Sequence, residues 1–284
     1  MMTQKAFSLV FAGGGARGYA HAGVLRALES MGLAPTGIVG VSMGSVVAVT
    51  YGMRDDWYDA LLAMDTSGVP ASGTAHNSTD ERSAAVRRTW SRAKAAWSLL
   101  TGWGASDEAV AAGQASLKGL IGPGKLEECR IAVTVCATDL LSGSRIELSS
   151  GPAAPAVLAS SSLAGILPPV GIDDLLLVDG VYSDIAPVDV ARAMGAPVVI
   201  AVDPSQPKDA SPPRNGLQVV MRAMEICHLN HAHERISTAD LVLRPVFDGY
   251  VDVLDFGKRE MCVDAGRVAT ESVGDQIWQL LGGG

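Results

Sequence analysis

Residues 37–50 read GIVGVSMGSVVAVT, and this stretch gives the clearest indication of the fold. The apolar residues before Ser42 predict a buried β-strand, and those after Gly44 predict a helix. A serine in the pattern G-x-S-x-G at a strand-to-helix turn is typical of a nucleophile held on a sharp bend. We therefore expect an exposed, reactive Ser42 hydroxyl, with Gly40 and Gly44 giving the turn its space.

A glycine-rich loop lies upstream of this stretch and follows a predicted strand at 6–12. Residues 13–18 read GGGARG, and such a loop presents bare backbone N–H groups that can hold an anion. The spacing also fits the dinucleotide fingerprint, which expects an acidic residue where the second strand ends. Ser42 stands there instead. The oxyanion loop is favoured, while a dinucleotide site and a simple tight turn remain alternatives.

No histidine stands where a hydrolase triad would place one. The five histidines are His21 in the first predicted helix, His76 in a Gly/Ser/Pro-rich loop, and His228, His231 and His233 in one later helix. The first is expected to be a packed or capping side chain. The last three lack a matching carboxylate, so neither a metal nor another cofactor is expected.

Asp179 is the better partner for Ser42, because it ends a predicted strand at 175–178 and is followed by Gly180. The carboxyl ends of parallel strands meet at one edge of a sheet, so the two side chains are expected to meet there. A carboxylate within hydrogen-bond reach could then take the hydroxyl proton. An ordinary Asp-Gly turn is the alternative. Activity through such a base should not decline below about pH 6.5, as it would with an unperturbed histidine.

Composition indicates a globular protein of one α/β domain. The 284 residues are 48% hydrophobic, and 30 acidic against 22 basic residues give a net charge of −8. This charge does not favour a nucleic-acid partner, and none is expected. The four cysteines show no C-x-x-C spacing and favour reduced thiols. With neither a secretory signal nor an apolar run of about 18 residues, a cytoplasmic protein is expected.

Apolar strands alternate with helices along the chain, which predicts a mostly parallel sheet covered on both faces. The predicted strands are 6–12, 37–41, 130–137, 144–148, 175–178, 197–202 and 241–244, and the predicted helices are 18–31, 42–50, 56–65, 79–100, 152–163, 215–237 and 260–281. Segment 79–103 combines a basic cluster with Trp90, Trp97 and Trp103. It is interpreted as a cap helix over the site or as a segment that docks on anionic lipid surfaces.

Four blocks in this order resemble the patatin-like phospholipases, especially small bacterial members. They are GGGARGYAHAGVL at 13–25, GVSMG at 40–44, ASSSLAGILPPV at 159–170 and VDGVYSDIAP at 178–187. The resemblance implies a three-layer α/β/α fold in a single domain over 1–284. It also implies a helical, cap-like insertion at about 67–125.

The same resemblance implies a lipid acyl hydrolase of the phospholipase A, lysophospholipase or esterase type. Its nucleophile would be Ser42, its base Asp179, and its oxyanion donors Gly14 and Gly15. The residues that shape the loops would be Gly13, Arg17, Gly18, Gly40, Gly44 and Gly180. Arg17 would either steady a substrate phosphate or pair with a carboxylate.

Two features leave alternatives open. Val181 stands where the family usually has Gly or Ala, a steric change beside the base. An acyltransferase or thioesterase would use the same residues as a hydrolase, and a non-catalytic lipid- or nucleotide-binding module would keep the same fold. The expected partner is a lipid or acyl-ester substrate, and the expected location is the cytoplasm, with possible peripheral membrane contact through 79–103.

Overall fold

The structure is a computed structural model that describes residues 5–66, 107–206, 212–213 and 216–282. The strands in this part of the chain are β1 (Phe7–Phe11), β2 (Gly37–Val41), β3 (Ala132–Asp139), β4 (Arg145–Leu148), β5 (Val170–Ile172), β6 (Leu175–Asp179), β7 (Val198–Val202) and β8 (Leu241–Leu243). The helices are α1 (Ala20–Ser30), α2 (Met43–Met53), α3 (Trp57–Leu62), α4 (Asp107–Ile121), α5 (Ala153–Ser160), α6 (Val188–Ala193), α7 (Gly216–Ile236), α8 (Arg259–Glu271) and α9 (Gly274–Leu280). Short 3₁₀ turns cover Gly15–Tyr19, Leu126–Glu128, Gly180–Tyr182 and Phe256–Lys258.

The strands form one sheet in the order β5-β6-β3-β2-β1-β7-β8, and β4 pairs with β3. Pairing is parallel from β3 through β2, β1 and β7 to β8. Every residue of β1, β2 and β7 is buried, as expected for strands with helices on both faces. The predicted α/β fold with a mostly parallel sheet is therefore confirmed.

Two buried clusters lie on opposite faces of this sheet. In β1, Phe7, Leu9 and Phe11 belong to one cluster, and Val10, together with Ala12 just after the strand, belongs to the other. Residues of α1, α2, α8 and α9 complete the first cluster, and residues of α6 with the end of α7 complete the second. Helices packed on both faces thus fix the strand ends that carry the candidate site.

Strands β2 and β6 meet end to end along one edge of β3. In the ladder, Val41 lies opposite Cys136, and the next residue of β3, Ala137, lies opposite Asp179. Because β4 covers Val135–Thr138 from the other edge, β2 and β6 must share this one. The expectation that Asp179 ends a strand parallel to that of Ser42 is therefore wrong. Strand β6 is antiparallel to β3, so the carboxyl ends of β2 and β6 face each other along the same edge of β3.

Several elements differ from the sequence prediction. The helix predicted at 260–281 is divided into α8 and α9, and β5 and α6 were not predicted. The predicted loop at 67–77, the helix at 79–100 and the proposed lipid-docking segment 79–103 lie outside the described residues. Within the range of the expected insertion, α4 is described, and its Leu120 and Ile121 are buried in the main core. No helix in the described part of the chain is long and apolar enough to cross a membrane.

Candidate active site

Ser42 sits on a strained turn between β2 and α2. Its φ of 54° and ψ of −128° place a non-glycine residue in a disfavoured region, which is typical of functional bends. Gly40 and Gly44 explain how the chain turns so tightly. A Cβ on Gly40 would lie 2.6 Å from the Cα of Ser45, and one on Gly44 would overlap the carbonyl of Phe11. The turn therefore requires glycine at both positions.

Ser160 tethers this turn to the sheet. The Ser42 N–H donates to Ser160 Oγ at 2.9 Å, and the Ser160 hydroxyl donates to the carbonyl of Cys136 at 2.7 Å. The side chain of Ser160 is fully buried at the end of α5. Sequence reasoning assigned no role to this residue. The only signal was its place in the 159–170 block, because a serine at a helix end is otherwise ordinary.

Replacing Ser160 by Ala should lower both stability and any turnover at Ser42. Two buried backbone groups would lose their partner, at a cost of about 1–3 kcal/mol in the free energy of unfolding. A small displacement of the turn can lower kcat by up to about 10²-fold. The matched control is Ser162→Ala, because Ser162 is also buried but its hydroxyl donates only to the carbonyl of Leu158 in α5, the helix that precedes it. Equal kcat values for the two variants would contradict a tether.

Asp179 lies within hydrogen-bond reach of Ser42. The Ser42 hydroxyl donates to Asp179 Oδ2 at 2.7 Å, and the Val181 N–H donates to Oδ1 at 3.0 Å. The backbone of Asp179 is held on both sides, since its N–H donates to the backbone carbonyl of Ser162 and its own carbonyl accepts from the Thr138 hydroxyl. Only 1% of this residue is exposed. The carboxylate is thus fixed and aimed at the hydroxyl.

Burial raises the pKa of Asp179 to about 7, although hydrogen bonds from Ser42 and Val181 act in the opposite direction. A carboxyl with this pKa is half protonated near neutral pH. Its capacity to accept a proton therefore declines below about pH 7, as that of a histidine would. If Asp179 is the base, an acidic decline is therefore expected near pH 7, in place of the profile expected from the sequence, which did not reveal how completely Asp179 is buried.

The glycine loop passes beside Ser42. A Cβ built on Gly13 would lie 3.6 Å from the Cβ of Ser42. The N–H of Gly13 donates to Ile185 at 3.2 Å, and that of Ala16 donates to Val253 at 2.8 Å. Among the described residues, no acceptor contacts the N–H groups of Gly14 or Gly15.

Arg17 and Gly18 hold the glycine loop against α7 and the start of α2. Arg17 is 5% exposed, donates to the carbonyl of Gly14 at 3.4 Å and pairs with Glu225 of α7 at 3.2 Å. Of the two roles considered for Arg17, the structure shows the carboxylate pair. A Cβ on Gly18 would lie 2.6 Å from the side chain of Met43, so glycine allows the loop to pack on the start of α2.

Val181 packs on the loop instead of blocking the base. Its Cγ1 occupies space that a Cβ on Gly13 would overlap. The glycine before it, Gly180, is equally confined, since a Cβ there would overlap the carbonyl of Cys136. The larger side chain at position 181 is therefore accommodated by the glycine at position 13.

The described histidines do not contact the carboxylate. His21 is fully buried, stacks on Phe11 at 4.5 Å and places Nε2 2.8 Å from the carbonyl of Ala12. Burial lowers the pKa of His21 to about 4, so the ring is neutral at pH 7. His228 packs edge-on against Tyr182. His76 lies outside the described residues, as do the side chains of His231 and His233.

This chain is similar in sequence to known proteins. The family model described as patatin-like phospholipase matches residues 9–192. Lysophospholipase NTE1 of Coccidioides immitis is 33% identical over 212 residues, which cover 73% of this chain and 12% of that protein. An NTE family protein of Mycobacterium tuberculosis is 31% identical over 195 residues, covering 69% of this chain and 48% of that protein. This chain thus spans less than half the length of either relative.

Among solved structures, VipD from Legionella pneumophila is similar with a TM-score of 0.48 and 13% identity. The alignment covers 96% of this chain and 67% of that one. Human GIVD cytosolic phospholipase A2 is similar with a TM-score of 0.48 and 11% identity, over 98% of this chain and 60% of that one.

Proposed function

Because this chain belongs to the patatin-like phospholipase family, a family of lipid hydrolases, we propose that it cleaves carboxylic esters of lipids with Ser42 as nucleophile and Asp179 as base. The observation that carries the proposal is the 2.7 Å hydrogen bond from Ser42 Oγ to Asp179 Oδ2. A hydroxyl is a weak nucleophile until an adjacent base takes its proton. The hydrogen bond from the Ser42 hydroxyl supports Asp179 as that base.

In the first step, Ser42 Oγ attacks the ester carbonyl while its proton passes to Asp179 Oδ2. We propose Gly14 and Gly15 as the N–H donors that stabilise the negative charge developing on the carbonyl oxygen, and the lack of another acceptor for their N–H groups among the described residues supports this. The start of α2 adds a favourable field, because Ser42 stands at the amino end of that helix.

In the second step, the tetrahedral intermediate collapses and the alcohol leaves with the proton that Asp179 holds. The acyl group is then an ester of Ser42. Water attacks this ester and gives a proton to Asp179, and the acid is released as Ser42 recovers its proton. Both half-reactions need the same donor and acceptor geometry, so one rigid, buried base would serve both.

The substrate class proposed is a lysophospholipid, since relatives such as the NTE1 proteins of Coccidioides immitis and Saccharomyces cerevisiae are lysophospholipases. The experiment measures fatty acid released from lysophosphatidylcholine by wild type and by Ser42→Ala, with a short soluble ester in parallel. We expect release of fatty acid by wild type from both compounds and none above background by the variant. An acyl transferase would instead form a new ester when an alcohol acceptor is added. A folded wild type that turns over neither compound would contradict the proposal.

A further inference from the structure

We propose that Arg145 is a positioning residue for catalysis, because its ion pair with Asp184 holds the Ser42–Asp179 pair (the dyad) and the glycine loop in position relative to each other. This inference rests on the proposed function of Ser42 and Asp179. Arg145 begins β4, on the far edge of β3 from Ser42, and it touches neither side chain of the dyad. Arg145 would therefore act on the dyad indirectly, through the short chain segment that contains Asp184.

Asp184 lies in the chain segment that connects the base, Asp179, to the residue that binds the glycine loop. It follows Asp179 by five residues and precedes Ile185, whose carbonyl accepts the Gly13 N–H at 3.2 Å. Its own N–H donates to the carbonyl of Gly180 at 2.9 Å, which closes the turn after the base. Any shift of Asp184 therefore moves the base at one end and the glycine loop at the other.

The Asp184 side chain depends on Arg145 for its position. Asp184 Oδ1 accepts the N–H of Ala186, and Oδ2 accepts from Arg145 Nη1 at 2.7 Å and also from Arg235. The side chain of Asp184 is 1% exposed, whereas those of Arg145 and Arg235 are 19% and 53% exposed. A buried carboxylate needs a charged partner that is itself fixed. Arg145 is the more enclosed of the two.

Arg145 is held in turn by two further carboxylates. Its guanidinium forms a bidentate pair with Asp189 of α6, at 2.9 and 2.7 Å, and donates to Glu147 of β4 at 2.8 Å. The planar, forked guanidinium suits this arrangement, and lysine would not reproduce it. Without Arg145, the described residues would leave Asp184 with Arg235, which is exposed, as its remaining ion-pair partner, and repulsion from the nearby carboxylates of Glu147 and Asp189 would displace the Asp184 segment.

The backbone of β3 joins the same arrangement. Arg145 lies opposite Thr138 in the ladder, and the Thr138 hydroxyl donates to the carbonyl of Asp179 at 2.9 Å. The Ser183 N–H donates to the same Thr138 oxygen at 3.1 Å. The strand pair thus fixes one side of the turn through Thr138, and Arg145 fixes its far end through Asp184.

The test compares Arg145→Met and Arg145→Lys with wild type, using kcat and KM for a soluble ester well below each melting temperature. We expect kcat to fall by about 10²-fold for Arg145→Met, with KM within about twofold, because a small misplacement of reacting groups acts mainly on turnover. Arg145→Lys should recover only part of the loss. Asp184→Asn provides a second variant that keeps the shape of the side chain, and it should lower kcat similarly.

The matched control is Arg192→Met, because Arg192 of α6 also pairs with a carboxylate, that of Asp240. Asp240 lies at the amino end of β8, whereas the site lies at the carboxyl end of β2. Arg192→Met should lower the melting temperature without changing kcat. Hydrogen exchange gives a readout that is independent of activity. In Arg145→Met, the Gly13 amide should exchange at least about tenfold faster, while the Ala12 amide, bonded to Val202, should not change.

Unchanged Gly13 exchange together with wild-type kcat in folded Arg145→Met would overturn the inference. If wild type proved inactive on every ester, the exchange experiment would still decide whether Arg145 fixes the loop. Failure of the proposed function and failure of this inference are therefore separate results.

Discussion

Asp179→Asn is expected to lower kcat on a soluble acyl ester by about 10²–10⁴-fold, because asparagine keeps the shape of the side chain but has no basic lone pair to take the Ser42 proton. The wild-type profile of kcat against pH should show an acidic decline centred near pH 7, the raised pKa of the buried carboxyl. The residual activity of the variant should lack that decline. His21→Ala and His228→Ala are the controls, and their kcat should fall far less, apart from a packing loss at His21.

The same substitution should stabilise the protein at high pH. Since the folded pKa of Asp179 is about 7 and the ordinary value is 3.8, the folded state binds an extra proton between those values. The destabilisation therefore grows from about pH 4 and is complete above pH 7. At about 1.4 kcal/mol per pKa unit, Asp179→Asn should raise the free energy of unfolding by as much as about 4 kcal/mol at pH 8. Near pH 4 it should add almost nothing, which thermal unfolding at the two pH values would show.

Gly14→Val is expected to lower kcat by about 10²–10³-fold, the usual effect of losing an oxyanion donor. A Cβ on Gly14 would lie 2.7 Å from Cγ of Pro204, so the loop must shift and its N–H groups must turn. Gly171→Val is the matched control, because a Cβ there meets no heavy atom within 4 Å and valine suits a strand. Wild-type kcat in a folded Gly14→Val protein would exclude this donor role, and tight binding of NADH by wild type would favour a dinucleotide site instead.

Local features of the site were predictable from sequence. An apolar run followed by G-x-S-x-G fixes both the strand and the turn at Ser42, because the glycines and the strand ending are neighbours in the chain. The glycine loop follows β1 for the same reason. His21 was expected to pack inside α1, and the structure places it fully buried against Phe11.

Features that depend on distant parts of the chain were not predictable. Asp179 was expected near Ser42, but through a parallel strand, since nothing local distinguishes the antiparallel β6 from its neighbours. The bond between Ser42 and Ser160 joins residues 118 positions apart, and the bond between Arg145 and Asp184 joins residues 39 positions apart. The raised pKa of Asp179 follows from burial, which only the packed structure reveals.

The most direct test of the central claim is to locate the covalent adduct formed by a fluorophosphonate, which reacts with an activated serine hydroxyl. Wild type, Ser42→Ala and Asp179→Asn would be treated in parallel and their peptides analysed by mass spectrometry. We expect an adduct on Ser42 in wild type, none in folded Ser42→Ala, and strongly slowed labelling of Asp179→Asn. An adduct on a different residue of wild type, or equal labelling of Ser42→Ala, would contradict the assignment of Ser42 as nucleophile.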